Sequence, residues 1–228
     1  FISVIECASD GTAIGVAETG AAPVLQFYWD FTGLGAGVVI TDSKNSIVAT
    51  LTGGAKRTAT GVVLDGVGDF VSVAIGEVST GGPMTIEAVV KWNAFNSISR
   101  LFECGNYAAA ALSDTIKVSN VGTEGKISWS IRRSMGSLKT ADSSTVDLVV
   151  GVRYHIVTTG SGTTMVAYVN SVEKAKITDG YEPSVLQRSA CYIGKSSLAA
   201  PESFSGEVSF LKIYSGAMPA AEVAAAYE

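Results

Sequence analysis

In VVLDGVGDFVSVAIG, residues 62–76, Asp65, Gly66, Gly68 and Asp69 stand between two apolar runs. Carboxylates and glycines at this spacing suit three chemistries: a phosphate loop, an oxygen-ligand metal loop, or a tight turn whose carboxylates serve its own backbone. The phosphate reading fails, because G-x-G-x-x-V leads into a strand rather than a helix and lacks the lysine of a Walker loop. The turn fits, since Asp65 can accept from the backbone two residues on and Gly66 and Gly68 can take positive φ. A hairpin is therefore expected, with Asp65 and the carbonyl of Gly66 left open as oxygen ligands for a cation.

The remaining reactive side chains are sparse. Retaining glycoside hydrolysis needs two carboxylates about 5.5 Å apart, commonly delivered as E-x-D-x-x-E on one strand face. That pattern does not occur, and Glu87 and Glu103 read as solvated positions on separate strands. His155, the only histidine, sits inside RYHIVTT and reads as a packing or hydrogen-bonding residue rather than a general base. No G-x-S-x-G elbow is present to make a nucleophilic serine. Cys7, Cys104 and Cys191 form no C-x-x-C, which removes zinc ribbons and thioredoxin-like sites; at most one intrachain bridge can form, leaving one thiol over. An enzyme is not expected.

Recognition is the chemistry left. Aromatic faces stack on sugar rings, yet Trp29, Trp92 and Trp129 alternate in phase with apolar neighbours and read as core. The surface candidates for ligand contact are Arg132, opposite in phase to Trp129, Arg100 and Asn106 flanking LFECG, Tyr107, and Asn170 at the end of MVAYVN. Strand ends and loops of a sandwich are where recognition concentrates.

The elements that must hold these residues are strands. Short runs of Val, Ile, Thr and aromatics recur between Gly, Asn, Asp and Ser, predicting strands near 24–31, 46–51, 61–65, 69–75, 84–92, 99–104, 114–119, 126–133, 144–149, 153–159, 164–169, 172–177, 190–195 and 205–214. In PMTIEAVVKW, Met84, Ile86, Ala88, Val90 and Trp92 point one way and Thr85, Glu87, Val89 and Lys91 the other. So many strands exceed one open sheet and call for two packed face to face. Helical periodicity is confined to MPAAEVAAAYE, where Pro219 suits the helix start and Val223 and Tyr227 share a face. Residues 1–23, low in charge and rich in Gly, Ala and Thr, read as an extended arm suited to touching a partner; 24–228 form the domain.

Composition narrows the partners. Charged residues are 16% and the formal net charge is −5, with no Lys/Arg cluster, so nucleic acid has no electrostatic foothold. Hydrophobic residues are 47% of the chain and mean hydropathy is +0.33, a surface poor in charge that suits burial inside an assembly. No apolar run is long enough for a membrane helix, and FISVIECASDGTAIGVAETG lacks the basic start of a signal peptide, so a soluble or peripheral chain is expected.

LDGVGDFVSV, MTIEAVVKW, RLFECGN, RYHIVTT, MVAYVNS, CYIGK and FSGEVSFLKIYSGAMPAAEV follow one another in order. Together, over residues 25–228, they resemble the concanavalin A-like, laminin G-like domains, particularly the pentraxin-related branch. The resemblance implies an all-β, two-sheet antiparallel jelly-roll sandwich with a short C-terminal helix, and it implies that the D-G-x-x-D segment is a strand-turn-strand. It also implies a lectin-like or adhesion module that binds glycan or protein. The alternatives are a structural subunit of a larger assembly and, more remotely, a glycoside hydrolase. An extracellular, secretory or cell-surface setting is expected, with an organelle lumen as the alternative. Three positions depart from the family pattern: Val89 stands where Trp is usual, Ser171 where Gly follows YVN, and Ser209 where Asp often follows GEV. Many relatives hold a structural Ca²⁺ with an acidic residue of the last long strand, which Ser209 cannot supply. A calcium site built from Asp30, Asp65 and the Gly66 carbonyl stays open.

Overall fold

Period-two burial decides the architecture. The structure, a computed structural model, describes residues 22–35, 37–75, 79–108, 111–134, 137–197 and 202–228; the expected arm, except for residues 22 and 23, and Cys7 lie outside them. The chain runs through β1 (Val24–Asp30), β2 (Val39–Thr41), β3 (Val48–Thr52), β4 (Lys56–Thr58), β5 (Gly61–Asp65), β6 (Phe70–Val73), β7 (Ser79–Thr80), β8 (Met84–Ala94), β9 (Arg100–Ala108), β10 (Ala111–Val121), β11 (Glu124–Arg133), β12 (Ser137–Asp142), β13 (Arg153–Ser161), β14 (Thr164–Val169), β15 (Val172–Ile177), β16 (Leu186–Gln187), β17 (Ala190–Ile193), β18 (Ser205–Ser215) and α1 (Ala220–Tyr227).

Among the described residues these strands form two eight-stranded antiparallel sheets. The first has the order β15-β14-β13-β8-β18-β5-β4, with β1 also on β18; the second runs β12-β11-β10-β9-β17-β6-β3-β2, and β16 pairs with β7 apart from both. The gap between the sheets is filled by the in-phase residues: Met84, Ile86, Ala88, Val90 and Trp92 from β8 meet Ile127, Trp129 and Ile131 from β11 in one buried cluster. All three tryptophans are fully buried, as their phase required. Truncating one to alanine costs about 3–5 kcal/mol through lost transfer energy and the cavity left behind.

Cys104 and Cys191 are disulfide-bonded and stitch β9 to β17, using the single bridge that three cysteines allow. Pro219 is the cap residue before α1, and Val223 anchors the helix in a second small cluster with Val157, Val166, Tyr168 and Met218 on the outer side of the first sheet. Among the described residues no helix is long and apolar enough to cross a membrane.

Three local expectations are corrected. Residues 62–73 are strand-turn-strand but not a hairpin: β5 pairs with β4 and β18 in one sheet, while β6 pairs with β3 and β17 in the other. The turn is a corner that carries the chain from sheet to sheet. Asp65 Oδ1 accepts from the N–H groups of Val67, Gly68 and Asp69, and Gly66 takes a φ of +82°, whereas Gly68 is not in the positive-φ region. Residues 144–149 are not a strand, because this valine-rich segment crosses β11 at Gly125, whose carbonyl accepts from Asp147 and Leu148. The strand that pairs with β11 is β12 instead. Finally, Glu87 and Glu103 are fully buried rather than solvated.

Candidate functional site

Strand register builds a polar platform on the outward face of the second sheet. Thr140 lies opposite Ser130, Ser130 opposite Lys117, Lys117 opposite Glu103, Glu103 opposite Tyr192, and Tyr192 opposite Ser72. Each is out of phase with a buried neighbour such as Ala141, Trp129, Ile116, Phe102, Ile193 or Val71, so this row faces away from the core. Parallel rows carry Asp142, Ser128 and Ser119 on one side and Leu138 and Arg132 on the other.

The charges on this platform are unevenly paired. Arg100 Nε donates to Glu103 Oε2 at 2.7 Å and a terminal nitrogen to Glu202 Oε2 at 2.6 Å. Glu103 also accepts from the Ser197 N–H and the Ser196 hydroxyl, so its oxygens are occupied. Lys117 and Arg132 have no hydrogen-bond or ion-pair partner among the described residues, and both line one small depression of about 50 Å³ with Arg100, Glu103, Thr115 and Ser130. Burial, followed by the nearby Arg100 charge, pushes the Lys117 ammonium down to about 8. Along the same face the Ser119 hydroxyl is buried with no partner among the described residues. Glu103, Glu202 and Asp142 pull Lys117 the other way without outweighing burial, and a desolvated cation with no hydrogen-bonded acid is costly and marks a place where an anion is welcome.

Two strands along the row the character turns aromatic. Tyr192 and Phe70 meet edge to face at 5.6 Å, and Lys195 Nζ lies over the Phe70 ring at 4.3 Å. Phe70, Lys195, Ser196 and Glu202 line a cleft of about 210 Å³ beside the sheet-crossing turn. The platform thus combines hydroxyls, a pair of rings and cations without an ion-pair partner among the described residues.

The sequence candidates scatter over this frame. Arg100 and Arg132 converge in the depression. Asn106 ties β9 to the 187–189 segment, its amide donating to the Gln187 carbonyl and its oxygen accepting from the Ser189 N–H. The Tyr107 side chain lies outside the described residues. Asn170 belongs to the other sheet, in the β14–β15 turn, where its oxygen accepts from the His155 N–H. Lys117, Tyr192, Phe70 and Lys195 were not singled out; the available signal was their phase, Lys117 falling out of step with Ile116 and Val118.

The expected calcium ligands do not form one site. Asp30 lies opposite Phe210 and Asp65 opposite Ser205, five residues apart along β18. Asp30 Oδ1 is taken by the N–H and hydroxyl of Thr32, Asp65 by its own turn, and the Gly66 carbonyl faces the Asn96 amide at 3.4 Å. Among the described residues no three His, Cys, Asp or Glu groups gather to hold a metal ion.

The sequence profile of a family described as the concanavalin A-like lectin/glucanases superfamily matches residues 65–224. No curated protein sequence matches the chain. The fold is similar to domain 4 of AbnA, a GH43 extracellular arabinanase from Geobacillus stearothermophilus solved in complex with arabinotriose, at 18% identity and a TM-score of 0.71, covering 91% of this chain and 100% of that one. It is similar to the Trypanosoma rangeli sialidase in complex with sialic acid at 17% identity and a TM-score of 0.65, covering 99% of this chain and 35% of the sialidase. The Ruminococcus gnavus IT-sialidase CBM40 bound to α2,3-sialyllactose follows at 14% identity and 0.58, covering 65% and 83%. At these identities the likeness carries the fold.

Proposed function

The chain belongs to the concanavalin A-like lectin/glucanases superfamily, and we propose that it is a non-catalytic module that binds an acidic saccharide on the outward face of its second sheet. One observation carries this reading: Lys117 and Arg132 share a depression whose carboxylate, Glu103, is bound by Arg100, and neither has an ion-pair partner of its own among the described residues. Arg132 presents a planar fork that suits a sugar carboxylate, Lys117 adds a compact charge, and Thr140, bonded to the buried Ser130, offers its hydroxyl to ring hydroxyls. Tyr192 and Phe70 supply the apolar surface on which a pyranose face packs. The absence of catalysis is supported by Glu103, which is held by Arg100, Ser196 and Ser197 and lies on a different sheet from Glu87. The relatives solved with arabinotriose, sialic acid and sialyllactose support a glycan as ligand class. An extracellular setting is supported by the Cys104–Cys191 bridge, which persists in oxidising compartments, and by the extracellular arabinanase module.

A second reading, a subunit of an assembly, is favoured by Val146, Val149, Val150 and Val152, which are exposed together on the 143–152 segment. One experiment separates the two: an array of neutral saccharides, carboxylated saccharides and their methyl esters, run in chelator with sedimentation of the same sample. The expected result is binding confined to free carboxylates and weakened about tenfold or more by Arg132→Met, the loss of a charged hydrogen bond. Silence on the array with a high-mass species in sedimentation selects the subunit, and equal binding of esters overturns the acidic ligand.

A further inference from the structure

The outward face of the first sheet holds a separate concave space. It lies beside α1 and encloses about 350 Å³, at the small end of the range for sites that bury small molecules. Arg153, His155, Asn170, Phe210, Lys212 and Tyr227 line it.

Charge on its floor is organised around two acids. Glu87 Oε1 accepts from His155 Nε2 at 3.1 Å and from Lys212 at 3.0 Å, while Oε2 accepts from the Tyr214 hydroxyl at 2.6 Å. Glu207 takes Arg153 on one oxygen at 2.6 Å and Lys91 on the other at 2.9 Å. Both carboxylates are therefore committed, and a metal ion would find no free oxygen on either. The network pairs three cations, Lys91, Arg153 and Lys212, with two carboxylates, Glu87 and Glu207.

The walls are aromatic. Phe210 and Tyr227 flank the space, Lys212 Nζ stands 4.5 Å over the Phe210 ring, and the His155 and Tyr227 rings stack at 5.9 Å. His155, only 6% exposed, keeps a buried Nδ1 with no partner among the described residues, so the cavity wall carries an unsatisfied polar group that packing alone does not explain.

We propose that this cavity binds a small monoanionic carboxylate on a flat apolar body, its charge meeting the Arg153–Lys212 side and its ring lying between Phe210 and Tyr227. The site is independent of the saccharide platform, which lies on the opposite sheet.

His155 is the only histidine, so its ring resonances report on this cavity alone. Benzoate and its uncharged analogue benzamide are titrated to about 10 mM against labelled protein, a range that captures dissociation constants around the millimolar. Benzoate is expected to give a saturating shift of the His155 ring and benzamide at least tenfold weaker binding. Arg153→Gln, at the rim with Glu207 still paired to Lys91, is expected to weaken benzoate about tenfold with the protein folded by circular dichroism. Lys212→Gln provides a second variant with the same expected direction. No saturating shift, equal response to the two probes, or unchanged benzoate affinity in folded Arg153→Gln overturns the site.

Discussion

The two outward faces of the sandwich both sink charge below the surface, and they pair it in opposite ways. On the first sheet Glu87 and Glu207 are ringed by Lys91, Arg153, His155, Lys212 and Tyr214, every carboxylate oxygen committed. On the second, Arg100 consumes the available acids, Glu103 and Glu202, and leaves Lys117 and Arg132 without partners among the described residues. Burial alone therefore does not say what a charge costs the fold. Pairing does: a saturated network resists change, whereas an unpaired cation holds a cost that a ligand can relieve.

Substitution gives the largest test of this contrast. Glu87→Gln removes the negative charge and one of the two acceptor oxygens that Lys212, His155 and Tyr214 share, and is expected to lower unfolding free energy in denaturant titrations by about 3–5 kcal/mol. Lys117→Met removes a desolvated charge that Glu103, Glu202 and Asp142 offset only in part, and is expected to leave stability unchanged or raise it by about 1 kcal/mol. A comparable loss in both variants would erase the distinction between the faces.

Acid titration sharpens the same comparison with a smaller effect. Burial on its own would raise Glu87 and Glu207, but hydrogen bonds outweigh it: those from His155, Tyr214 and Lys212 hold Glu87 below the usual carboxylate range, and those from Thr60, Lys91 and Arg153 hold Glu207 down to about 2. A depressed carboxylate contributes its stability above its unfolded value, and that contribution is lost as pH falls through the folded value. Melting temperature is thus expected to fall from about pH 4.5 toward about pH 2, and Glu207→Gln to flatten part of that fall. An acid limb identical in Glu207→Gln would move the charge network elsewhere.

The fold was largely legible because alternation is a local property. PMTIEAVVKW shows its buried face residue by residue, and β8 uses it as written. What escaped was decided by partners. The turn at Asp65 reads identically whether the next strand folds back or leaves for the other sheet, and only the pairings of β5 and β6 separate these outcomes. Residues 144–149 have strand composition but spend their N–H groups on the Gly125 carbonyl. SLKTAD was passed over because only Ala141 of this edge strand is buried. The site was legible in half. Arg100 and Arg132 could be picked as polar residues on strands, but Lys117 gains its meaning from register across β9, β10 and β11, which no single segment encodes. Asp30 and Asp65 were paired by residue type, and the topology sets them at different points along β18.

In the proposed site the Lys117 ammonium, without an ion-pair partner among the described residues, receives the ligand's negative charge. Calorimetric titration of the tightest carboxylated saccharide from about pH 6 to about pH 10 tests it, because a Lys117 held near 8 is cationic only below that value. Affinity is predicted to stay level below about 8 and to fall above it, with proton uptake on binding near the midpoint, while Lys117→Met binds weakly throughout and shows no such fall. An affinity that holds level to about pH 10, or the same alkaline fall in Lys117→Met, would contradict the account.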